Sequence, residues 1–361
     1  MTQKTLKVAF AGANATRGWA RDAHLPALRA LPGLELIAVS ARDQQLADEA
    51  AAAFGAPKAY ADSLAMVRDP DVDIIAVTVK VPEHRAIVLA ALEAGKHLYC
   101  EWPLGRDLAE AEEMAAAARA AVDRGVHVAI GLQGAHSNAV LHAAKLVREG
   151  AIGRPLSLRV VSPTAGWGKE SPPFYAYLQD KRNGATLSTI AGGHTLAAIE
   201  EVVGAFIDLS AINSILVPQM IVSGTDETVA RTCPDHVFVI GHHDSGCISS
   251  LEVIGGEVRP LFQFELRGET GSLSIEGGHV GGYQAGRLRV TTSTGAAAQP
   301  DAAAPELDGP AANVSQLYAA LAADIRAGTR TVPDFDRAVR LTRLLDAIDD
   351  AADTGQRTVL S

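Results

Sequence analysis

The residues best able to do chemistry lie in a few separated stretches. The first is Gly12-Ala13-Asn14-Ala15-Thr16-Arg17-Gly18, which follows the apolar run Leu6–Phe10. A glycine-bearing turn between a first strand and a helix suits a dinucleotide pyrophosphate, because backbone N–H groups and the helix N-terminus face the anion. The turn is not a regular GxGxxG: Asn14 holds the second glycine position and the third glycine is displaced. Asparagine tolerates positive φ better than most residues, so the turn is expected to survive. At the end of the second apolar run, where an acidic residue would bind a ribose 2′-hydroxyl, the chain has Ser40-Ala41-Arg42. A hydroxyl and a guanidinium suit a 2′-phosphate and point to NADP(H), with NAD as the other option. Asp43 reads as the cap of the next helix.

A nicotinamide in such a fold lies across the carboxyl ends of the strands, so residues that close apolar runs matter next. Lys80 closes Ile74–Val79, and Glu101 and Trp102 close His97–Cys100. Hydride transfer from a secondary alcohol needs a base for the hydroxyl proton and a fixed geometry between two carbons. A lysine in a partly dry pocket beside a cationic ring has a lowered pKa that suits this work. His194 follows Gly192-Gly193, which reads as a flexible turn, and opens the helical stretch Thr195–Val203. Near a helix N-terminus the charged form of an imidazole is disfavoured, which keeps it neutral and able to act as base or donor. Lys80 and His194 are therefore the candidate catalytic pair, expected to meet across a domain crevice with the substrate hydroxyl between them. No metal is expected. His242-His243-Asp244 and Cys247 offer ligand atoms, but Asp244-Ser245-Gly246 reads as a hairpin turn, where neighbouring side chains alternate in direction.

These residues need elements to position them. The chain has 361 residues, comfortable for two domains. It is 48% hydrophobic and 20% charged, which excludes a disordered or low-complexity protein. Thirty-two Lys and Arg against 42 Asp and Glu leave a formal charge of −10, a poor balance for gripping nucleic acid or an anionic membrane. The three cysteines, Cys100, Cys233 and Cys247, form no CxxC pair, so neither a disulfide framework nor a cysteine zinc site is indicated. No export or membrane segment is visible, and the chain reads as cytoplasmic. Apolar runs at Leu6–Phe10, Glu35–Val39, Asp73–Val79, His97–Cys100 and His127–Ile130 alternate with helical spacing at Pro26–Ala30, Gln44–Phe54, His84–Ala94 and Ala109–Val122. That alternation predicts a Rossmann-type doubly wound parallel sheet to about residue 135. Asn138–Glu149 reads as a further helix. From 136 to 361 the chain reads as an α+β domain with an open, largely antiparallel sheet. Its strands are expected at Leu156–Val161, His236–Ile240, Ile248–Ile254, Leu261–Leu266 and Ser272–Ile275. Residues 295–312 read as an Ala/Pro loop, and helices at Val314–Ala327 and Arg337–Ala352 are counted with the second domain.

Several stretches resemble the glucose–fructose oxidoreductase / inositol dehydrogenase (Gfo/Idh/MocA) family. They are Gly12 through His24-Leu25-Pro26-Ala27-Leu28, Ala94-Gly95-Lys96-His97 with Glu101-Trp102-Pro103, Glu149-Gly150-Ala151-Ile152-Gly153, and Gly268-Glu269-Thr270-Gly271-Ser272-Leu273. Gly18-Trp19-Ala20, Val79-Lys80-Val81-Pro82-Glu83-His84, Glu101-Trp102-Pro103-Leu104 and Ile190-Ala191-Gly192-Gly193-His194 are similar to the branch containing the eukaryotic galactose-pathway repressor and its bacterial relatives. The resemblance implies cofactor contacts from the loop residues Gly12, Asn14, Ala15, Thr16, Gly18 and Trp19. It extends them to Ser40 and Arg42, to Val79, Lys80 and His84, and to Glu101, Trp102 and Pro103. It places substrate contacts at Trp167, Tyr175, Tyr177, Lys181, Asn183 and His194. It also implies a homodimer or homotetramer through the C-terminal sheet. The sequence departs from the catalytic pattern twice: Trp102 replaces the lysine before the proline, and Ile190 replaces an aspartate four residues before His194. Lys80 is the candidate stand-in. The implied activity is NAD(P)-dependent oxidoreduction of a hydroxyl or carbonyl on a sugar or polyol-like compound. Two other readings stay open: a catalytically silent NADP-binding sensor, and redox-assisted elimination or glycoside cleavage with the cofactor recycled.

Overall fold

The computed structural model describes residues 4–256, 259, 261–296 and 302–360. The chain forms two compact units, Met1–Gln133 with Ala302–Arg340, and Gly134–Asp301 with Leu341–Ser361.

In chain order the first stretch contains β1 (Leu6–Ala11), α1 (Leu25–Ala30), β2 (Leu34–Ser40), α2 (Gln44–Phe54), β3 (Lys58–Tyr60), α3 (Ser63–Val67), β4 (Ile74–Val77), α4 (His84–Glu93), β5 (His97–Glu101), α5 (Leu108–Ala121) and β6 (Val128–Gly131). The six strands form one parallel sheet in the order β3-β2-β1-β4-β5-β6. Every residue of β4 is buried, as are all but one of β1, the pattern of strands covered on both faces. Local chemistry sets the helices. Asp43 accepts the Leu46 N–H at 2.8 Å at the start of α2, Gly55 closes it at φ 70°, and Ala47, Ala50, Ala51 and Phe54 face the core. The short edge strand β3 escapes sequence reading because three half-buried residues carry no period of two.

The second stretch holds α6 (Asn138–Arg148), β7 (Pro155–Thr164), β8 (Glu170–Ser171), α7 (Gly193–Val203), β9 (Phe206–Ser214), β10 (Gln219–Val222), β11 (Thr228–Ala230), β12 (His236–His243), β13 (Ile248–Gly255), β14 (Phe262–Gly268), β15 (Ser272–Gly277), β16 (Leu288–Thr292) and β17 (Gly295–Ala296). The chain ends with α8 (Gly309–Ala327), α9 (Phe335–Thr354) and β18 (Thr358–Val359). Nine strands form a mixed sheet in the order β17-β16-β15-β14-β7-β13-β12-β9-β18, and β11-β10-β8 form a small second one. Most neighbours in the large sheet are antiparallel, with β13 and β7 parallel. Alternation is clear: Val237, Val239, Leu251, Val253, Phe264 and Leu266 are buried. The other face carries the exposed Ile212, Phe238, Ile240 and Ile248.

The C-terminal helices depart from the sequence reading. Helix α8 and the first turns of α9 belong to the first unit, not the second. The reason is packing: Val314, Leu317, Tyr318 and Leu321 enter the core that holds Phe10, Leu25, Leu28 and Tyr99. Burying each such aliphatic side chain contributes about 1.5–3 kcal/mol. Of the expected Ala/Pro loop, 297–301 lies outside the described residues.

Candidate functional site

In the first unit the candidate cofactor residues gather at the carboxyl ends of the parallel strands. Gly12 adopts φ 96°, and a Cβ there would lie 2.6 Å from Val79 Cγ1, so both conformation and space require glycine. Gly18 adopts φ 99° with nothing within 4 Å of a built Cβ. Asn14 works differently from the expectation. No non-glycine residue described has positive φ. Instead Asn14 Oδ1 accepts from Thr16 N–H at 3.0 Å, Thr16 Oγ1 at 3.1 Å and Arg17 N–H at 3.2 Å, an Asx turn that braces the loop. Ala15 and Trp19 are half-buried, and the Trp19 Nε1 donor is buried without a partner among the described residues. The loop leads into a π-turn, Ala20–His24, continuous with α1.

The residues at the strand ends sit in different surroundings. Ser40 is fully buried, and its hydroxyl is engaged by Ser63 Oγ at 2.8 Å at the end of β2. Its carbonyl oxygen accepts the Gly12 and Ala13 N–H groups. Arg42, by contrast, is 84% exposed, 3.6 Å from Asp43. His84 is buried with Nε2 3.1 Å from the Val79 carbonyl and Nδ1 3.2 Å from the Leu104 carbonyl. Burial pushes its pKa down. It therefore ties the segment after β4 to the segment after β5. Lys80, just past β4, is exposed, unlike the partly dry setting expected of it. Its carbonyl oxygen accepts the Glu83 N–H at 2.9 Å. Glu101 closes β5, followed by buried Trp102 and Pro103 joined by a cis peptide bond. These groups fit a dinucleotide: a glycine-shaped loop, an indole N–H without a partner among the described residues and an exposed guanidinium beyond β2.

In the second unit His194 is the chemically distinctive residue. It is 3% exposed, and its Nδ1 has no hydrogen-bond partner among the described residues. Burial pushes its pKa down to about 3, so the ring is neutral near pH 7. The cause is not the helix N-terminus expected from sequence. Gly192 and Gly193 are right-handed helical, and the π-turn Ser188–Gly192 runs straight into α7, so His194 sits inside a continuous helix. Gly192 is buried, yet a built Cβ would meet only the Leu187 carbonyl oxygen, at 3.6 Å. Tyr283 Oη holds the backbone here by donating to the His194 carbonyl at 2.5 Å.

The other substrate candidates lie along the 3₁₀ segments Pro173–Gln179 and Lys181–Asn183. Tyr175 and Tyr177 are half-buried, and burial raises both phenol pKa values, that of Tyr177 to about 12. Asn183 Nδ2 donates to the Tyr177 carbonyl at 2.7 Å, and Lys181 is exposed. Trp167, a substrate contact on the resemblance, is 3% exposed and donates Nε1 to the Leu178 carbonyl at 3.3 Å. Sequence reading missed what anchors the segment. Arg231 Nη1 and Asp235 Oδ2 form a fully buried pair at 2.7 Å, and Arg231 Nε donates to Gln179 Oε1 at 2.8 Å. At the hairpin, His242 Nδ1 lies 3.0 Å from Asp208, while His243 faces the Gly204 carbonyl and Ser249 Oγ.

A doubly wound parallel sheet with a glycine-bearing first loop, joined to a mostly antiparallel open sheet, defines a dinucleotide-binding class. The chain belongs to the Gfo/Idh/MocA oxidoreductase family: that family, with its NAD-binding Rossmann fold, matches residues 6–130, and the Gal80p C-terminal domain matches 138–277. Dehydrogenase aclE of Aspergillus oryzae is 36% identical over 258 residues, covering 67% of this chain and 68% of its own. The galactose/lactose metabolism regulatory protein GAL80 of Saccharomyces cerevisiae is 29% identical over 301 residues, 75% of this chain and 67% of its own. Among solved structures, a super-repressor mutant of Gal80p from Saccharomyces cerevisiae superposes with TM-score 0.87 at 23% identity, covering 99% and 98% of the two chains. Levoglucosan dehydrogenase in complex with NADH and levoglucosan superposes with TM-score 0.84 at 23% identity, over 99% of each chain. At these identities the structures speak to fold alone. No helix among the described residues is long and apolar enough to cross a membrane.

Proposed function

We propose that the protein is an NADP(H)-linked oxidoreductase acting on a hydroxyl or carbonyl of a sugar or polyol-like compound. The observation that carries the reading is His194: a buried, neutral imidazole whose Nδ1 lacks a partner among the described residues. A buried polar atom left unsatisfied costs about 1–3 kcal/mol, which a ligand hydroxyl would offset. The dinucleotide, when bound, supplies the hydride acceptor or donor. The loop from Gly12 to Trp19, Arg42 and the carboxyl ends of β4 and β5 would hold it. Lys80 takes or returns the hydroxyl proton, and His194 orients the substrate oxygen through a hydrogen bond. Tyr175, Tyr177, Lys181 and Asn183 contribute polar contacts to the substrate. Relatives named as dehydrogenases, Dehydrogenase aclE and a levoglucosan dehydrogenase 32% identical over 260 residues, support this reading. The open face of the large sheet supports a homodimer or homotetramer.

A second reading has its own support. Trp102 stands where catalytic members have lysine, and the C-terminal half matches the Gal80p domain. On that reading the protein binds NADP and signals through a protein partner. Purified protein incubated with NADP⁺ or NADPH and a panel of sugars, polyols and keto-sugars separates the two. Turnover on any of them is expected. Firm cofactor binding without turnover across the panel would favour the sensor.

A further inference from the structure

Inside the first unit His24 joins two residues far apart in sequence. Its imidazole has no solvent exposure. Nδ1 lies 2.8 Å from Tyr318 Oη, and Nε2 lies 2.9 Å from Glu101 Oε1. A carboxylate oxygen accepts, so the imidazole donates from Nε2 towards Glu101. The same ring holds the Tyr318 hydroxyl on Nδ1, so one imidazole links the phenol to the carboxylate. The ring is held edge-on by Phe10, Tyr99 and Tyr318, with centroids at 5.8, 5.0 and 5.5 Å.

Two independent features point to the Glu101 end as the purpose of this chain. Room for the carboxylate is made by Gly131 at the end of β6, where a Cβ would come within 3.0 Å of both Glu101 Cα and Oε1. His24 is the last residue of the π-turn Ala20–His24, and an extra residue in a helical turn of this kind frequently marks a functional position. A phenylalanine in place of His24 would fill an aromatic cage without desolvating an imidazole. The polar chain instead runs from fully buried Tyr318 to Glu101, whose side chain keeps 14% exposure at the carboxyl end of β5.

We infer that His24 and Tyr318 are positioning residues that hold the Glu101 carboxylate in one orientation for a hydroxyl of the bound dinucleotide. The inference rests on the cofactor reading above, but it does not require turnover, so it holds for enzyme and sensor alike.

The test is a fluorescence titration of the full-length protein with NADPH and with NADH. Glu101→Gln and His24→Leu should each weaken binding by about tenfold or more, as expected for losing a charge-assisted contact. His24→Gln, which keeps a donor towards Glu101, should recover most of that loss. Tyr318→Phe keeps the packed ring and should cost about threefold, the scale of one net hydrogen bond. Because both act through one carboxylate, Tyr318→Phe should add nothing once Glu101→Gln is present, whereas a merely structural effect would add in full. Full additivity, or variants that bind as the unaltered protein does, would overturn the positioning role alone. Failure of the unaltered protein to bind either dinucleotide would overturn the cofactor reading and this inference with it.

Discussion

With the Ser40 hydroxyl engaged by Ser63, Arg42 is left as the group that could read a 2′-phosphate. An exposed guanidinium meeting a phosphate is a strong but salt-screened contact. NADPH should therefore bind about tenfold more tightly than NADH at low salt, and Arg42→Ala should erase most of that difference in a competition titration. Tighter binding of NADH by the unaltered protein would refute the assignment. On the proposed catalytic roles, Lys80→Met and His194→Ala should each cut turnover by roughly 10²–10⁴, the usual worth of a positioned acid or base, while cofactor affinity stays within a few-fold. Trp102→Phe should retain cofactor affinity, and quenching of Trp102 emission on cofactor addition would locate the indole beside the ligand. What was legible here was local. Gly12, Gly18 and the Asp43 cap announce themselves because a turn and a cap depend on residues within four positions. The burial of Ser40, His84 and Trp167 was not legible, because it is decided by distant partners such as Ser63, Leu104 and Leu178.

Elements were read best where burial alternates cleanly. Helix α2 falls where its spacing predicts, and β12, β13 and β14 bury every second residue. Strand β9 was missed because Ile207 and Ile212, apolar residues, point to solvent while Asp208 is buried, which blurs the period. The glycine pair before His194 misled in the other direction: glycine suggests a turn, yet tertiary packing draws Gly192 and Gly193 into helix. A test at this scale concerns the buried Arg231–Asp235 pair that anchors the Tyr175–Asn183 segment. Asp235→Ala leaves Arg231 as an uncompensated buried charge and should destabilise the protein by about 3–5 kcal/mol, measured by urea unfolding.

Over the whole molecule, the buried histidines tie stability to acid. His194 at about 3 and His97 at about 4 are both lowered from 6.5 by burial, so the unfolded chain takes up protons first as pH falls. Their contribution is complete above about pH 6.5 and is lost as pH drops towards those folded values. At pH 5 His194 alone should cost about 2 kcal/mol, so His194→Gln should visibly flatten the fall of melting temperature between pH 7 and 5. The apolar face of the large sheet is a second global property: Ile240 is 60% and Ile212 65% exposed. Ile240→Glu should convert the expected oligomer to monomer in sedimentation velocity. The order of synthesis brings in a further matter. Tyr318 is made 294 residues after His24, and Val314, Leu317 and Leu321 arrive with it. At ribosomal rates of about 5–20 residues per second, the apolar surface around Phe10 and Leu28 stays uncovered for roughly 15–60 s. A nascent chain in that interval is a natural client for holdase chaperones. Most of the second unit, although later in sequence, is free to close before the first is complete.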